Sequence, residues 1–569
     1  MGGRPVTLGA SPATQCPVRT HHAFDPDITL MPAEQPPAIQ EAIDAGLAFE
    51  QTLFNDIASS RPDRFCLVDQ DSGRRATVQQ TLDAMDAGVP VILRGVLPDD
   101  VDGHRVGRPD LLVRHGDDLP ATYLPGEVKL HRFLEGKASN TRNTYSVTIA
   151  PASDPQARRT LDHARPRVGR LENDALQLAH YTRMLESMGR HPGPEHHEAF
   201  LVSGDDWVGT WQLDEVHGTW IRLDEPAFET YSRSESTKKR TALERYDHEF
   251  GFRVAIAENA AAGKPAIVVP IYSSECDGCP MYAGCEPTFA ADPTTSFETW
   301  RPRVREWLAL QTLGITTVEQ LAAVELTPEW VERYLAEIEG KQGWRKRLGL
   351  TIEKARLAVA GHTLAFRAPD SVRAPRADVE IDLDMENDTA GRVLLWGARL
   401  RRGDTVAFHA FVDWHELTLG DERAIAERLA DWLVEQRDSA AAAGESIMVF
   451  HHGDVERQKL RLILGPSAIK HIGIPFFDTH QWAEKHLVAT RGLGLKPLAG
   501  ELGFEWRDDD PGGRNCQLWV DEARATSDAE QRAGLQQRVL DYNEDDTAAT
   551  AWIRDHTADL VSLTELEGA

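Results

Sequence analysis

Long apolar runs are missing from this sequence. No stretch approaches the roughly 20 residues a helix needs to cross a bilayer, so no membrane segment or membrane partner is expected. The opening residues, MGGRPVTLGASPATQCPV, lack both an apolar secretory core and an Arg/Ser-rich amphipathic helix, which leads to the expectation of a cytoplasmic protein. Positive charge is also short. Lys and Arg total 62 against 90 Asp and Glu, a formal net charge of −28. That excludes a protein that attracts polyanions over its whole surface and leaves room only for a local basic track. Arg158, Arg159, Arg165, Arg167 and Arg170 form one candidate track; Arg345, Lys346, Arg347, Lys354 and Arg356 form another. A solvated helix face explains either one equally well. Cysteine is scarce, with six in 569 residues, which excludes a disulfide scaffold.

What is present points to several packed domains. The chain is too long for one hydrophobic core. Residues 39–58 carry Ile43, Leu47, Phe54 and Ile57 at helical spacing, predicting a buried helix. From 86 to 131 the short apolar runs VPVILRGVL, RPDLLVRH and ATYLPGEVKL predict strands of one sheet. A helix is predicted at about 171–188, then two strands around Gly204-Asp205, then a helical, charged segment over 225–262. Residues 299–370 read as a helical region resembling a helix-hairpin-helix module, with a capping box from Thr316 to Glu319 and Pro328 in a first helical turn. After SVRAPRA, three strand-like runs begin at 377, 391 and 405. They precede a helix at 421–439, the strand SIMVFHH and the helix VERQKLRLIL. That order is the order of a ribonuclease H-like fold. The expected class is therefore α/β and multidomain, with domains at 1–298, 299–370 and 371–569.

Three constellations carry chemistry. Asp110 starts one strand, and Glu127 and Lys129, two apart on the next, face the same side. Two carboxylates with a lysine suit Mg²⁺ or Mn²⁺ and a phosphate. Cys276, Cys279 and Cys285 fall within ten residues, a spacing that suits zinc or an iron–sulfur cluster. On the C-terminal strand, Asp384 and Glu386 share a face with Asp382, while Tyr542 and Asp546 lie one helical turn apart.

Pro109-Asp110 with Glu127-Val128-Lys129 resembles the PD-(D/E)xK nucleases, and Gln177 and Tyr181 resemble the Gln-x-x-x-Tyr motif of their RecB-like branch. AGLAFEQ resembles that branch's first motif, with Gly46 in place but Phe49 where a His is usual. Either Glu50 stands in as the metal ligand or the site uses one ligand fewer. SPATQCPVRTHHAF resembles the opening of the iron–sulfur members. The resemblance therefore implies a [4Fe–4S] cluster on Cys16, Cys276, Cys279 and Cys285, with Cys66 as the other candidate for the first ligand. The C-terminal acids resemble the DEDD (DnaQ-like) exonucleases. That resemblance implies two metals on Asp384, Glu386, Asp546 and a middle acid, Glu456 or Asp454, with Tyr542 orienting water. GLGLKPLAGELGF resembles a further segment of such exonucleases.

The whole order is similar to that of a family of bacterial RecB-like nucleases. It implies metal-dependent cleavage of DNA, at single strands or ends, in repair or processing. Mg²⁺ or Mn²⁺ and the cluster are the implied cofactors, and DNA and a helicase the implied partners. Two rivals stand beside this reading: a cluster-bearing nucleic-acid-binding or scaffold protein with decayed acid sites, and an RNA-processing nuclease.

Overall fold

The computed structural model describes residues 5–28, 37–136, 145–232, 236–272, 275–276, 279–291, 304–338, 343–368, 372–389, 391–508, 512–557 and 559–567. The chain divides into two compact units, Met1–Pro270 with Ser274–Glu286, and Ile271–Ser273 with Pro287–Ala569. The domain boundaries expected at 298/299 and 370/371 fall outside the described residues, as does the side chain of Arg170. No described helix is long and apolar enough to cross a membrane.

The first unit contains, in chain order, α1 (Pro17–Phe24), α2 (Pro37–Ser60), β1 (Phe65–Leu67), α3 (Arg74–Asp86), β2 (Val91–Leu93), β3 (Leu111–His115) and β4 (Thr122–Lys129). It continues with β5 (Leu134–Gly136), β6 (Ser146–Pro151), β7 (Arg159–Asp162), β8 (Ala164–Pro166), α4 (Val168–Ser187), β9 (Glu198–Ser203) and β10 (His217–Arg222). The hairpin β11 (Phe228–Ser232) and β12 (Ser236–Arg240) and the helix α5 (Ala242–Ala261) follow; α6 (Tyr282–Ala291) runs across the division between units. Eight strands form one sheet in the order β1-β2-β3-β4-β9-β10-β6-β7, in which β4 pairs antiparallel with β3 and parallel with β9. β4 is buried on both faces over its middle six residues, so its sequence shows no in–out alternation. Gly126 is required there, because a Cβ would come within 2.9 Å of the Phe200 carbonyl oxygen on β9.

Three expectations for this unit are corrected. The helix at 37–60 is buried only at its C-terminal half: Phe54 and Ile57 are buried, whereas Ile43 and Leu47 are exposed. The second strand after Gly204-Asp205 begins only at His217, because Asp205 turns back to accept hydrogen bonds from the Phe133 and Leu134 amides (2.9 and 3.1 Å). The start of the charged segment 225–262 is a β-hairpin. The helix begins at Ala242, where Thr241 and Glu244 form a capping box.

The second unit opens with four helices, α7 (Val304–Thr312), α8 (Val318–Ala322), α9 (Pro328–Ile338) and α10 (Trp344–Val359), around a core that includes Trp307, Leu310, Leu321, Tyr334 and Ile352. The capping box sits one residue later than expected, with Thr317 as the cap and Gln320 as its partner. Then come β13 (Leu364–Phe366), β14 (Val379–Asn387), β15 (Val393–Arg402), β16 (Thr405–Val412), α11 (Leu419–Ala443), β17 (Ile447–His451), α12 (Val455–Leu464) and α13 (Ala468–Ile472). The chain ends with β18 (Phe476–Asp478), α14 (Thr479–His486), β19 (Leu487–Ala489), α15 (Leu495–Glu501), α16 (Gly513–Ala525), α17 (Ala529–His556) and α18 (Leu563–Glu567). The main sheet has the order β16-β15-β14-β17-β18, an antiparallel meander continued by two parallel strands.

Strand β14 organises this unit. Its odd residues Ile381 and Leu383 join Ile425, Leu429 and Leu433 of α11 in the core. Its even residues are acids that meet α17. Asp382 and Arg554 are both 0% exposed and paired, and Arg554 also reaches Glu380 at 3.2 Å. Arg376 and Arg401 add to this, so Glu380 is held down to about 2 although burial alone would raise it. Removing one partner of such a buried pair strands the other charge. Arg554→Met is expected to lower unfolding stability by about 3–5 kcal/mol, and Asp382→Leu in the same chain to recover most of it. Equilibrium denaturation checks both; a single variant as stable as the parent would show that the pair carries no such weight.

Candidate metal and catalytic sites

Farther along the same face of β14 the arginines stop. Ligand oxygens of Asp384, Glu386 and Asp546 all lie within 4.8 Å of one another. Asp384 is opposite Gly397 on β15, and a Cβ at Gly397 would collide with Asn543 of α17. That missing Cβ lets Asn543 reach in and donate to Asp384 Oδ2 at 2.7 Å. Trp506 Nε1 donates to Asp546 Oδ1 at 2.7 Å and fixes the other carboxylate. Burial and then the charges of Glu386, Asp546 and Glu456 push the Asp384 carboxyl well up. Glu386 is pushed up to about 8 by burial and then by Asp546. Three acids gathered this closely, with the Glu456 charge acting on one of them, are in a state that a divalent cation relieves.

Glu456, in the first turn of α12, is buried and pushed up to about 8 by burial, with the charges of Asp478 and Asp454 adding to this; its Oε2 has no hydrogen-bond partner. It is close enough to raise Asp384. Asp454 is engaged differently, by Arg457 at 2.6 and 3.0 Å. Tyr542 lies one turn before Asp546 on α17. Its hydroxyl accepts from Lys496 Nζ at 2.8 Å, and burial with the charges of Asp546, Glu386 and Asp384 keeps it protonated. The sequence reading did not single out Asn543, Trp506 or Lys496. Lys496 lies inside GLGLKPLAGELGF, so its signal was in view; Trp506 and Asn543 carried none.

In the first unit Asp110 sits one residue before β3 and accepts from the Val128 amide at 2.8 Å. Lys129 Nζ donates to Glu127 Oε2 at 2.8 Å and to Gln177 Oε1 at 3.0 Å, and Gln177 Nε2 donates to the Tyr181 hydroxyl at 3.2 Å. Burial and the Glu127 charge push Asp110 well up; burial works against the Lys129 ammonium, but Glu127 and Asp110 raise it on balance. Glu127 Oε1 is buried without a partner, an orphaned acceptor that a cation would satisfy. Glu50 lies near enough for Asp110 to raise it, yet it is held by Arg94 at 2.9 Å. Glu50, Asp110 and Glu127 are not among the described groups whose ligand atoms come within 4.8 Å of one another. Phe49 packs against the core of this unit. Arg94 is the residue that sequence reasoning missed here.

The cysteines form no disulfide among the described residues. The Cys285 thiol is pushed up to about 12 by burial and then by the charges of Cys16, Cys279 and Cys276. His22 Nε2 is 3.4 Å from Cys285 Sγ, and the Cys16 amide donates to Glu275 at 2.9 Å. Cys66 on β1 is raised by burial alone. No three sulfurs among the described residues lie within 4.8 Å of one another.

The basic tracks spend much of their charge internally. Arg158 pairs with Glu198 and covers the Trp220 ring; Arg165 pairs with Glu135. Arg347 pairs with Glu306, and Arg356 donates to the carbonyls of Ala322 and Val324.

A family model described as the RNase H superfamily matches residues 381–558. That stretch, which holds the five-stranded sheet and the acid site, is thus a ribonuclease H-like domain, and its class is that of metal-dependent nuclease-type enzymes acting on nucleic acid. No curated protein and no solved structure matches the chain.

Proposed function

We propose that this protein is a metal-dependent DNA nuclease whose C-terminal domain is a DEDD-type exonuclease acting on single strands or ends. The observation that carries the reading is the convergence of Asp384, Glu386 and Asp546 beside Glu456 and Tyr542. Mg²⁺ or Mn²⁺, when bound by these acids, supplies positive charge and an acidified water. The chain's own part is positioning. Asn543 and Trp506 fix the two carboxylates, and Lys496 donates to the Tyr542 oxygen while the phenol proton faces Asp546, which holds the hydroxyl at the acids where a water would be oriented. A nuclease assay on labelled single- and double-stranded DNA and RNA, with Mg²⁺ or Mn²⁺, tests the activity and separates DNA from RNA. Repair of DNA beside a helicase is the setting we propose for it.

For the N-terminal unit we propose a second, RecB-like site on Asp110, Glu127 and Lys129, with Gln177 and Tyr181 holding Lys129 in place. In a chain already carrying Asp384→Asn, Lys129→Ala is expected to cut the remaining cleavage by about 100-fold, the loss of one well-placed charge on a phosphate. An unchanged rate removes the assignment. One observation favours a decayed site instead: the Arg94 guanidinium already sits on Glu50. In that case the Asp384→Asn chain shows no metal-dependent cleavage at all.

The same unit, on this proposal, holds a [4Fe–4S] cluster on Cys16, Cys276, Cys279 and Cys285. Tetrahedral zinc with bonds of 2.3 Å needs its thiolates about 3.8 Å apart, whereas a cubane spreads them over four irons. The charges that Cys16, Cys279 and Cys276 exert on Cys285 support a site shared by these four residues. Protein purified without oxygen is expected to be brown and to contain iron and sulfide; Cys16→Ser loses them and Cys66→Ser keeps them. Zinc without iron, or loss in Cys66→Ser alone, overturns the ligand set.

A further inference from the structure

At the carboxyl ends of β17 and β18, with Glu456 Oε2 3.9 Å from His451 Nδ1, a second group of ligand atoms lies within 4.8 Å of one another: those of His451, Asp454 and Asp478. We infer that His451, Asp454 and Asp478 form a separate binding site for a divalent transition-metal ion of the Mn²⁺ or Zn²⁺ class. The inference stands whether or not the chain is a nuclease, since it concerns binding alone.

The two neighbouring histidines show why His451 is the ligand. His452 has both ring nitrogens taken, by Thr479 Oγ1 at 3.0 Å and the Leu493 carbonyl at 2.9 Å, and is a structural residue. His451 is 1% exposed, yet it lines a cavity of about 610 Å³. Its Nδ1 donates to the Gly453 carbonyl, which as an acceptor fixes the proton on that nitrogen. Nε2 is then the lone-pair nitrogen. A backbone carbonyl on the far nitrogen of a buried histidine is the arrangement that orients metal-ligating imidazoles.

The carboxylates are held but not used up. Asp478 caps α14, and both of its hydrogen bonds, from Gly453 N at 3.1 Å and Gln481 N at 3.0 Å, fall on Oδ1. Asp454 accepts from Arg457 on both oxygens (2.6 and 3.0 Å) and from Gln458 on Oδ2 (3.1 Å), which leaves a lone pair on Oδ1 for a cation. An imidazole nitrogen with two carboxylates suits Mn²⁺ or Zn²⁺ better than Mg²⁺, which takes oxygen ligands. Lys485 shares the lining of the same cavity, which leaves the metal's remaining positions open toward a space of mixed charge.

The imidazole provides a test that the carboxylate site cannot mimic. The full chain, loaded with Mn²⁺, is examined by pulsed electron paramagnetic resonance, which detects a directly bound nitrogen-14. The expected result is nitrogen modulation in the parent and in the Asp384→Asn chain. It is lost in His451→Gln, whose amide can still donate to the Gly453 carbonyl. His191→Gln serves as the control for the other histidine-containing group, Glu186, His191 and His197, and is expected to keep the signal. Asp478→Asn retains a helix cap of equal quality and is expected to weaken this Mn²⁺ site about tenfold or more. No modulation in the parent, or modulation that survives His451→Gln, overturns the proposal. So does Mn²⁺ affinity unchanged by Asp478→Asn.

Discussion

Asp384→Asn is expected to lower exonucleolytic cleavage by about 10³-fold, the several kcal/mol of charge stabilisation that a shared metal ligand secures. The substitution is close to isosteric, and its remaining oxygen still accepts from Asn543, now 2.7 Å from Asp384 Oδ2. It also removes a buried ionisable carboxyl from beside Glu386, Asp546 and Glu456. The variant is therefore expected to fold and to melt no lower than its parent in the absence of metal. That combination, activity lost while stability holds, distinguishes a ligand from a structural acid. The measurement is the release of terminal nucleotides from end-labelled DNA by a chain that also carries Lys129→Ala, which silences the other proposed site. If Asp384→Asn makes no difference in that chain, the C-terminal domain keeps the fold without the chemistry.

Strand β14 explains how much of this site a sequence can show. Alternation placed Asp382, Asp384 and Glu386 on one face, and that face is the one α17 meets. Alternation could not say that Asp382 is neutralised by Arg554 while Asp384 has the acids Glu386 and Asp546 beside it. The difference depends on which turn of α17 lies over which residue, and on the missing Cβ at Gly397 that admits Asn543. Asp546 lies some 160 residues from Asp384 in the chain, and its convergence with Asp384 was legible only through a family resemblance. The meander of β14, β15 and β16 was legible because each strand has one core-facing side. β18, three residues long, offers no period to read. In the first unit the apolar runs gave β2, β3 and β4. The hairpin β11–β12 reads as helix in the sequence because its charged residues carry no apolar alternation. Arg94, which holds Glu50, belongs to a turn with a positive φ of 56°, a conformation no local pattern announces.

The acids predict how the metal-free protein responds to pH. Glu386 and Glu456 are each pushed up to about 8, by burial first; Asp384 and Asp546 are raised for the same main reason, and Asp110 adds the same sign in the first unit. In the unfolded chain a glutamate titrates near about 4.3. Below that pH both states hold the proton and nothing is lost. Between about 4.3 and about 8 the unfolded chain gives up protons that the folded one retains, so the folded state binds more protons and stability falls as pH rises. Above about 8 the loss is complete. Glu380 has the opposite sign: held down to about 2, it contributes stability above the ordinary carboxylate range and loses it as pH falls toward 2. In chelator, the melting temperature is therefore expected to decline steadily from pH 5 to pH 8. Mg²⁺ or Mn²⁺ is expected to restore it most at the alkaline end, because a cation lets the carboxylates ionise in place and binds only the folded state. The slope should flatten in a chain carrying Asp384→Asn and Glu386→Gln, which removes two of the raised groups. Calorimetric scans across that range provide the check. A metal-free melting temperature that is level or rises toward pH 8 would mean that the acids are solvated and that the cluster at the end of β14 is not poised for metal.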